Sequence, residues 1–353
     1  MPDKKRLIKF NKAINEAINL SMTKDKSVIA MALGIDDPKG IFETTINLSE
    51  KFGNKRVFDM PTAENSMTGI AIGVAINGYK PIITHQRVEF SLLSIEQIIN
   101  QASKWSYMSA GKMHLPIVIR LIIGRGWGQG PQHSQSLENI FASIPGLKVI
   151  CPSNAYDAKG LLISSIFDKN PVIFYEHRWL HNYSSFVPKK FYKLKLGKSN
   201  IIQKGKSISI ISSSFMTTEV IKASKILKKY NIDAEILDLI SLRPLDTATI
   251  IKTARKTKKI LIVDNGWMKF GISSEIGTII TENLSENFKF KLKRIGLADS
   301  PIPSTRSLAR YSYVSVEKIV NTVFLILNKN IKIKEKYNKN FDDTPDNSFS
   351  GPF

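Results

Sequence analysis

Three short segments carry side chains that can do acid–base or ring-binding chemistry. Asp59-Met-Pro-Thr62-Ala-Glu64 holds carboxylates on either side of a proline. Gln86-Arg87-Val-Glu-Phe90 groups an amide, a guanidinium and an aromatic ring. Pro131-Gln-His133-Ser-Gln135 sets an imidazole between two amides. A carboxyl group can share a proton with a ring nitrogen, and an aromatic side chain can stack on a planar heterocycle. Imidazole gives and takes protons near neutral pH. Each segment alone also has a plainer use. Glu64 suits the positive end of the helix that follows it. Phe90 suits a core position at a strand-to-helix turn. His133 suits a surface loop or a cap, and Arg87 a pairing with Glu89 or Glu96.

The elements that must position these residues read as alternating helices and strands. Asn11–Met22 has an apolar stripe of Ile14, Ala17, Ile18 and Leu20, which predicts a helix. Val28–Leu33, Val57–Asp59, Lys80–Thr84, Pro116–Arg120, Leu147–Cys151 and Val172–Tyr175 are short apolar runs, which predict buried strands. Small residues in Thr68-Gly-Ile-Ala-Ile-Gly-Val-Ala predict a closely packed helix, and Ile95–Trp105 another. This alternation predicts an α/β fold, a doubly wound and mostly parallel sheet. A basic, proline-bearing stretch follows. Then come strands at Ser207–Ser212, Ala234–Leu239 and Lys259–Val263, with helices at Thr217–Tyr230, Ile250–Thr257 and Ile272–Glu282. The expected organisation is a first domain over 1–190, a linker over 191–204, and a second, smaller α/β domain over 205–328. The polar residues 329–353 are expected to be a disordered tail.

Composition narrows the function. No run of about 18 apolar residues exists, so no membrane span is expected. The basic N-terminus is not followed by an apolar signal core, so a cytoplasmic location is expected. The single cysteine, Cys151, excludes an internal disulfide framework and a multi-cysteine metal site. The net charge of +21 comes from lysines spread over the chain. Basic clusters such as Lys252–Lys259 are short and lack interleaved aromatics, so no nucleic-acid partner is expected. No Gly-x-x-x-x-Gly-Lys-[Ser/Thr] loop, Gly-x-Ser-x-Gly elbow or His pair with metal-ligand spacing is present. Gly124-Arg-Gly-Trp-Gly-Gln-Gly fails the dinucleotide-loop spacing.

Taken together, the segments resemble a family. Arg56-Val-Phe-Asp-Met-Pro-Thr-Ala-Glu64, Gly69-Ile-Ala-Ile-Gly73 and Gln132-His-Ser-Gln135 resemble the β subunit of pyruvate and branched-chain 2-oxo acid dehydrogenases, in the transketolase-like superfamily. Pro145-Gly-Leu-Lys-Val149, Asp157-Ala-Lys-Gly-Leu161 and Leu242-Arg-Pro-Leu-Asp246 extend the match over about Leu7 to Leu327. The resemblance implies a thiamine diphosphate cofactor shared with a separate α subunit in an α2β2 heterotetramer. It implies oxidative decarboxylation of pyruvate or a related 2-oxo acid. The α subunit's Gly-Asp-Gly motif, which holds Mg²⁺ and the diphosphate, is absent here. Glu64 matches the glutamate that hydrogen-bonds the aminopyrimidine ring and so helps generate the nucleophile. Phe90 matches the aromatic on the ring face, and Gln86 and Thr62 match ring-side positions. His133 matches the active-site histidine that handles the 2-oxo acid and assists acyl transfer to a lipoyl arm. A lipoyl acyltransferase core is therefore a second implied partner, docked on the second domain. The resemblance also implies a K⁺ site at Ile117, Ser165, Ile166, Asp168 and Asn170, where the plainer reading of Asp168-Lys-Asn170-Pro is a turn.

Two features depart from the family's pattern. His85-Gln-Arg87-Val replaces a small or apolar run, so Arg87 could bind a substrate carboxylate or phosphate. The loop from Gly124 to Gly130 is bulkier and more polar than the family's. Both features favour an alternative expectation, the C-terminal half of a split transketolase-like enzyme that transfers a ketol or aldehyde unit. Trp267-Met-Lys-Phe270-Gly matches a family stretch expected to serve packing, and Arg306 is weighed for a substrate or interface role.

Overall fold

The computed structural model describes residues 6–124, 129–284 and 288–333. The Arg125–Gly128 part of the glycine-rich loop, the Arg306 side chain and most of the expected tail lie outside the described residues. In chain order the elements are β1 (Leu7–Lys9), α1 (Phe10–Lys24), β2 (Val28–Ala32), α2 (Leu48–Phe52), β3 (Val57–Asp59), α3 (Glu64–Ile76), β4 (Lys80–His85), α4 (Trp105–Met108), β5 (Val118–Ile123), α5 (Gly130–His133), α6 (Glu138–Ala142), β6 (Lys148–Ile150), α7 (Ala155–Ile166), β7 (Val172–His177) and β8 (Ser184–Phe186). They continue as β9 (Asn200–Gln203), β10 (Ile208–Ser212), α8 (Ser214–Lys228), β11 (Ala234–Asp238), β12 (Ser241–Arg243), α9 (Thr247–Thr257), β13 (Lys259–Trp267), α10 (Ile272–Asn283), β14 (Lys291–Leu297), α11 (Arg306–Ser312) and α12 (Val316–Ile326).

The chain forms two compact units, residues 6–124 with 140–196, and residues 129–139 with 197–333. The sheet of the first runs β6-β7-β5-β4-β2-β3, parallel at every pairing. Its central strands are buried on both faces, which is why they read as continuous apolar runs. The chain leaves β2 for β3 on one side and returns to β4 on the other. Next to β2 the winding therefore reverses, and ligands of open α/β sheets sit at the carboxyl ends of strands at such a point.

Charged residues are built into this core. Arg120 of β5 reaches Glu176 of β7 with two hydrogen bonds, Nε to Oε1 at 2.6 Å and Nη2 to Oε2 at 3.0 Å. Its remaining donors reach Thr84 of β4 at 3.1 Å and Thr44 at 2.8 Å. Both charged side chains are fully buried. Burial alone would raise Glu176, but the Arg120 charge and the hydrogen-bonding groups of His181 and Arg120 overcome it and hold the carboxyl at about 2. His181 Nε2 stands 3.3 Å from Glu176, and burial pushes His181 down to about 4, so the ring is neutral at pH 7.

The expected helix at Ile95–Trp105 is not a regular α-helix. Val88–Ser94 forms a 3₁₀ stretch and Gln97–Ala102 widens into a π-helix. Ser103 N–H donates to Ile98 O, five residues back, and its hydroxyl takes Ile99 O, which an α ladder would have left to that N–H. β5 also runs past the expected end at Arg120 to Ile123.

The second unit is built on the sheet β14-β13-β10-β11-β9, parallel except for β9 against β11. The strand β9 falls in the stretch read as linker. Asn200, Ile201 and Gln203 pair with the edge of β11 while Ile202 falls at a shift in register, and two apolar residues are too few to register as a strand pattern. This unit also holds residues 129–139, which the sequence order had placed with the first domain.

Removing one partner of a buried ion pair strands the other charge. Arg120→Met should cost roughly 3–5 kcal/mol, read as a lower unfolding midpoint in denaturant. A loss below about 1 kcal/mol would show that Glu176 finds its compensation elsewhere. The folded-state value of Glu176 is depressed, so its contribution is present above the ordinary carboxyl range and is lost as pH falls towards about 2.

Candidate active site

The carboxyl end of the first unit's sheet gathers five of the expected residues. Thr62 and Glu64 follow β3, and Gln86, Arg87 and Phe90 follow β4, the two neighbours of β2. The turn after β2 fastens both sides. Gln86 Nε2 donates to Leu33 O at 2.7 Å, and Asp59 accepts the Gly34 N–H. Gly34 has φ +68°, and a Cβ there would stand 2.8 Å from Asp37 Oδ2 and 3.2 Å from Gln86 Nε2. Glycine takes that backbone conformation without strain and leaves room for both side chains.

Glu64 is the first residue of α3 and is half-buried. No hydrogen bond or ion pair with another described residue engages its carboxyl group. Ala63 occupies the cap position and offers no side-chain cap. The carboxylate lies at the positive end of the helix, as the plainer reading expected, and remains free to take a proton-bearing partner. Phe90 is half-buried on the 3₁₀ stretch, with its N–H donating to Arg87 O at 3.3 Å. Thr62 is exposed. This set fits a planar heterocycle with a ring nitrogen that needs a hydrogen-bonding acid.

Arg87 is buried, and burial lowers its guanidinium while the charge of Glu89 acts in the opposite direction. Glu89 is thus one of the acids considered as its partner. Arg178, after β7, was not singled out from the sequence. It lies under the Phe42 ring, 4.3 Å from the centroid, and burial with the nearby Arg87 charge lowers it to about 10, against the attraction of Glu43. Arg87 and Arg178 approach the same residue, Gly124. A Cβ on Gly124 would stand 2.9 Å from Arg178 Cβ and 3.8 Å from Arg87 Nη1.

His133 ends the short helix α5 and is half-buried, carried by the second unit. Nearby in that unit are two acids missed by sequence reasoning, Glu138 and Asp264. Burial raises both; for Glu138 the Asp264 charge adds to it, and the carboxyl reaches about 8. The only sequence signal was Glu138 opening α6 shortly after the His133 motif. Trp267 Nε1 donates to Ser300 O at 3.2 Å and the ring packs on Leu297, Ile302, Ala309 and Tyr313, whereas Phe270 is 91% exposed.

At the suggested cation site, Ile117 O accepts Val172 N–H at 2.9 Å and Ser165 O accepts Asp168 N–H at 3.2 Å. Asp168 Oδ1 accepts Asn170 N–H at 2.9 Å, and Oδ2 pairs with Lys148. The turn is therefore held by its own bonds. Its donors are all oxygen and the carbonyls keep second lone pairs, which suits a hard cation. Among the described residues, no group of three or more His, Cys, Asp or Glu could hold a metal, and no helix is long and apolar enough to cross a membrane.

Comparison with known proteins identifies both domains. The transketolase pyrimidine-binding domain matches residues 6–182, and the transketolase C-terminal domain matches residues 197–319. The pyruvate dehydrogenase E1 component subunit beta of Porphyra purpurea is 39% identical over 316 residues, covering 90% of this chain and 96% of that protein. The mitochondrial subunit of Pisum sativum is 38% identical over 312 residues, covering 87% of each chain. A solved split gene transketolase, an inactive β4 tetramer, superposes with a TM-score of 0.76 at 18% identity, over 91% of this chain and 98% of that one, which shows the fold. Fold and domain matches together define a two-domain enzyme component of the transketolase type. The chain belongs to the family of pyruvate dehydrogenase E1 component β subunits. Those relatives do not favour the ketol-transfer alternative, and the mitochondrial ones leave the expected cytoplasmic location without support.

Proposed function

We propose that this chain binds the aminopyrimidine half of thiamine diphosphate at the carboxyl edge of its first sheet. A separate α subunit, which holds Mg²⁺ and the diphosphate, completes an α2β2 enzyme for oxidative decarboxylation of a 2-oxo acid. The observation that carries the reading is Glu64, a half-buried carboxyl group at the winding reversal with no hydrogen bond or ion pair to another described residue. The bound cofactor supplies the nucleophilic carbon and the electron sink that decarboxylation needs. Glu64 holds a proton at the ring nitrogen, and Phe90 packs on the ring face. Gln86, fixed by Leu33 O, and Thr62 border the ring. Arg87 receives a substrate carboxylate. His133 orients or protonates the 2-oxo acid and assists acyl transfer to the lipoyl arm of an acyltransferase core.

Glu64→Gln should leave complex assembly intact and slow proton exchange at the cofactor's reactive carbon by at least about 100-fold. Near-normal exchange in the complex purified through this chain would remove Glu64 from the mechanism. His133→Ala should leave that exchange unchanged and slow acyl transfer about 100-fold or more; a normal transfer rate would refute its role. Under the same reading Ile117, Ser165, Ile166, Asp168 and Asn170 hold K⁺. Saturating K⁺ should then stabilise the chain by about 2–3 kcal/mol relative to a bulky organic cation. A midpoint indifferent to K⁺ would leave Lys148 as the sole counter-charge of Asp168.

A further inference from the structure

The second unit grips the segment that carries His133 at several points. Gly130 has φ +73°, and a Cβ there would stand 2.7 Å from Ser304 Oγ. Ser136 O comes within 3.2 Å of a Cβ placed on Gly266, so β13 and the segment meet through bare backbone. Asn139 Nδ2 donates to Phe270 O at 3.1 Å.

Two carboxyl groups lie at this contact. Glu138 Oε2 stands 3.9 Å, and Asp264 Oδ1 3.8 Å, from the same Gly266 position. Asp264 is provided for. Its Oδ1 accepts Gly266 N–H at 3.1 Å, its Oδ2 accepts Ser273 N–H at 2.8 Å, and Arg294 of β14 lends positive charge. Glu138 is 4% exposed, no salt bridge reaches it among the described residues, and its buried Oε1 has no hydrogen-bond partner there. An ionised carboxylate so placed would be buried beside a second acid with little beyond its own backbone N–H to stabilise it, whereas a neutral acid is tolerated. The charged and titratable groups packed about this contact include Asp264, Arg294 acting through Asp264, Lys318 of α12, whose Nζ donates to Gly296 O at 3.5 Å beside Gly266 and Asp264, and His133 on the segment itself. Lys269 is turned to Asp299 at the surface.

We propose that Glu138, as a neutral acid, is the positioning residue that seats the His133 segment on the second unit, and that its ionisation loosens the seat. The consequence for turnover rests on the role proposed for His133; the seat does not. Burial, opposed by the residue's own backbone N–H and reinforced by Asp264, places the ionisation at about 8. A raised folded-state value means that the contribution is present in acid and is lost as pH rises through about 8.

Hydrogen–deuterium exchange of the intact chain, compared between variants at matched pH, tests this. Glu138→Gln is neutral at every pH and nearly the same shape. It should match wild type over residues 129–139 at about pH 6 and exchange several-fold more slowly than wild type at about pH 9. Glu138→Ala should exchange faster than both at either pH. A Gln variant already fast at the lower pH, or equal to wild type at the higher, overturns the proposal, as does an Ala variant as protected as wild type. In the complex, Glu138→Gln should move the alkaline limb of turnover to higher pH. An unmoved limb with the expected exchange pattern upholds the seat and counts against the role of His133 instead.

Discussion

The carboxyl edge of the first sheet depends on one buried charge pair. Apolar strands in a parallel sheet pack well, but packing alone leaves the ends of neighbouring strands able to shift against each other. Arg120 removes that freedom. Its planar, five-donor guanidinium reaches Glu176 on β7, Thr84 on β4 and Thr44 beyond β2. Those strands lead into Arg178 and into Gln86–Arg87. Burying both charges carries a desolvation penalty, which is offset here because donors and acceptors are matched almost one for one. The neutral His181 ring, stacked on Phe10 with centroids 5.9 Å apart, closes the network without adding a further charge.

The sequence made some of this legible and hid the rest for physical reasons. Val57–Asp59 was read with its observed bounds, and Val28–Ala32 and Lys80–His85 to within a residue, because buried parallel strands are short apolar runs ended by turn residues. Arg120 and Glu176 could not be read as a pair. Their partnership spans distant strands, and apolar periodicity marks only that each interrupts a buried run. The π-helix over Gln97–Ala102 was hidden because its composition is that of an α-helix. What sets it apart is one serine hydroxyl replacing one ladder bond. Residues 129–139 were assigned by chain order, whereas the contacts of Gly130, Ser136 and Asn139 put them with the second unit.

The residues proposed for a pyrimidine ring rest on resemblance alone, and their surroundings were not legible in the sequence. Gly34 had drawn no notice, yet its backbone N–H is taken by Asp59 and its missing side chain leaves room for Gln86. Arg178 was also overlooked, because an arginine after a strand normally reads as a solvated end. Its burial against Phe42, near a second buried arginine, puts two guanidinium groups at this edge.

The start of α3 shows where local stability has been set aside. A serine or aspartate at the position of Ala63 would cap the helix and contribute about 0.5–2 kcal/mol. The sequence instead has alanine there and an acid one residue later, whose carboxyl group caps nothing. The start of α7 makes a contrast, since Asn154 caps that helix by accepting Asp157 N–H at 2.9 Å, as Asp246 and Ser315 cap α9 and α12, whereas α1, α8 and α10 share the uncapped start of α3. Local rules broken without a compensating contact inside the same chain tend to mark functional positions. A carboxyl group kept off its own helix, half-buried and beside the reversal in sheet winding, has the properties that the role proposed for Glu64 requires.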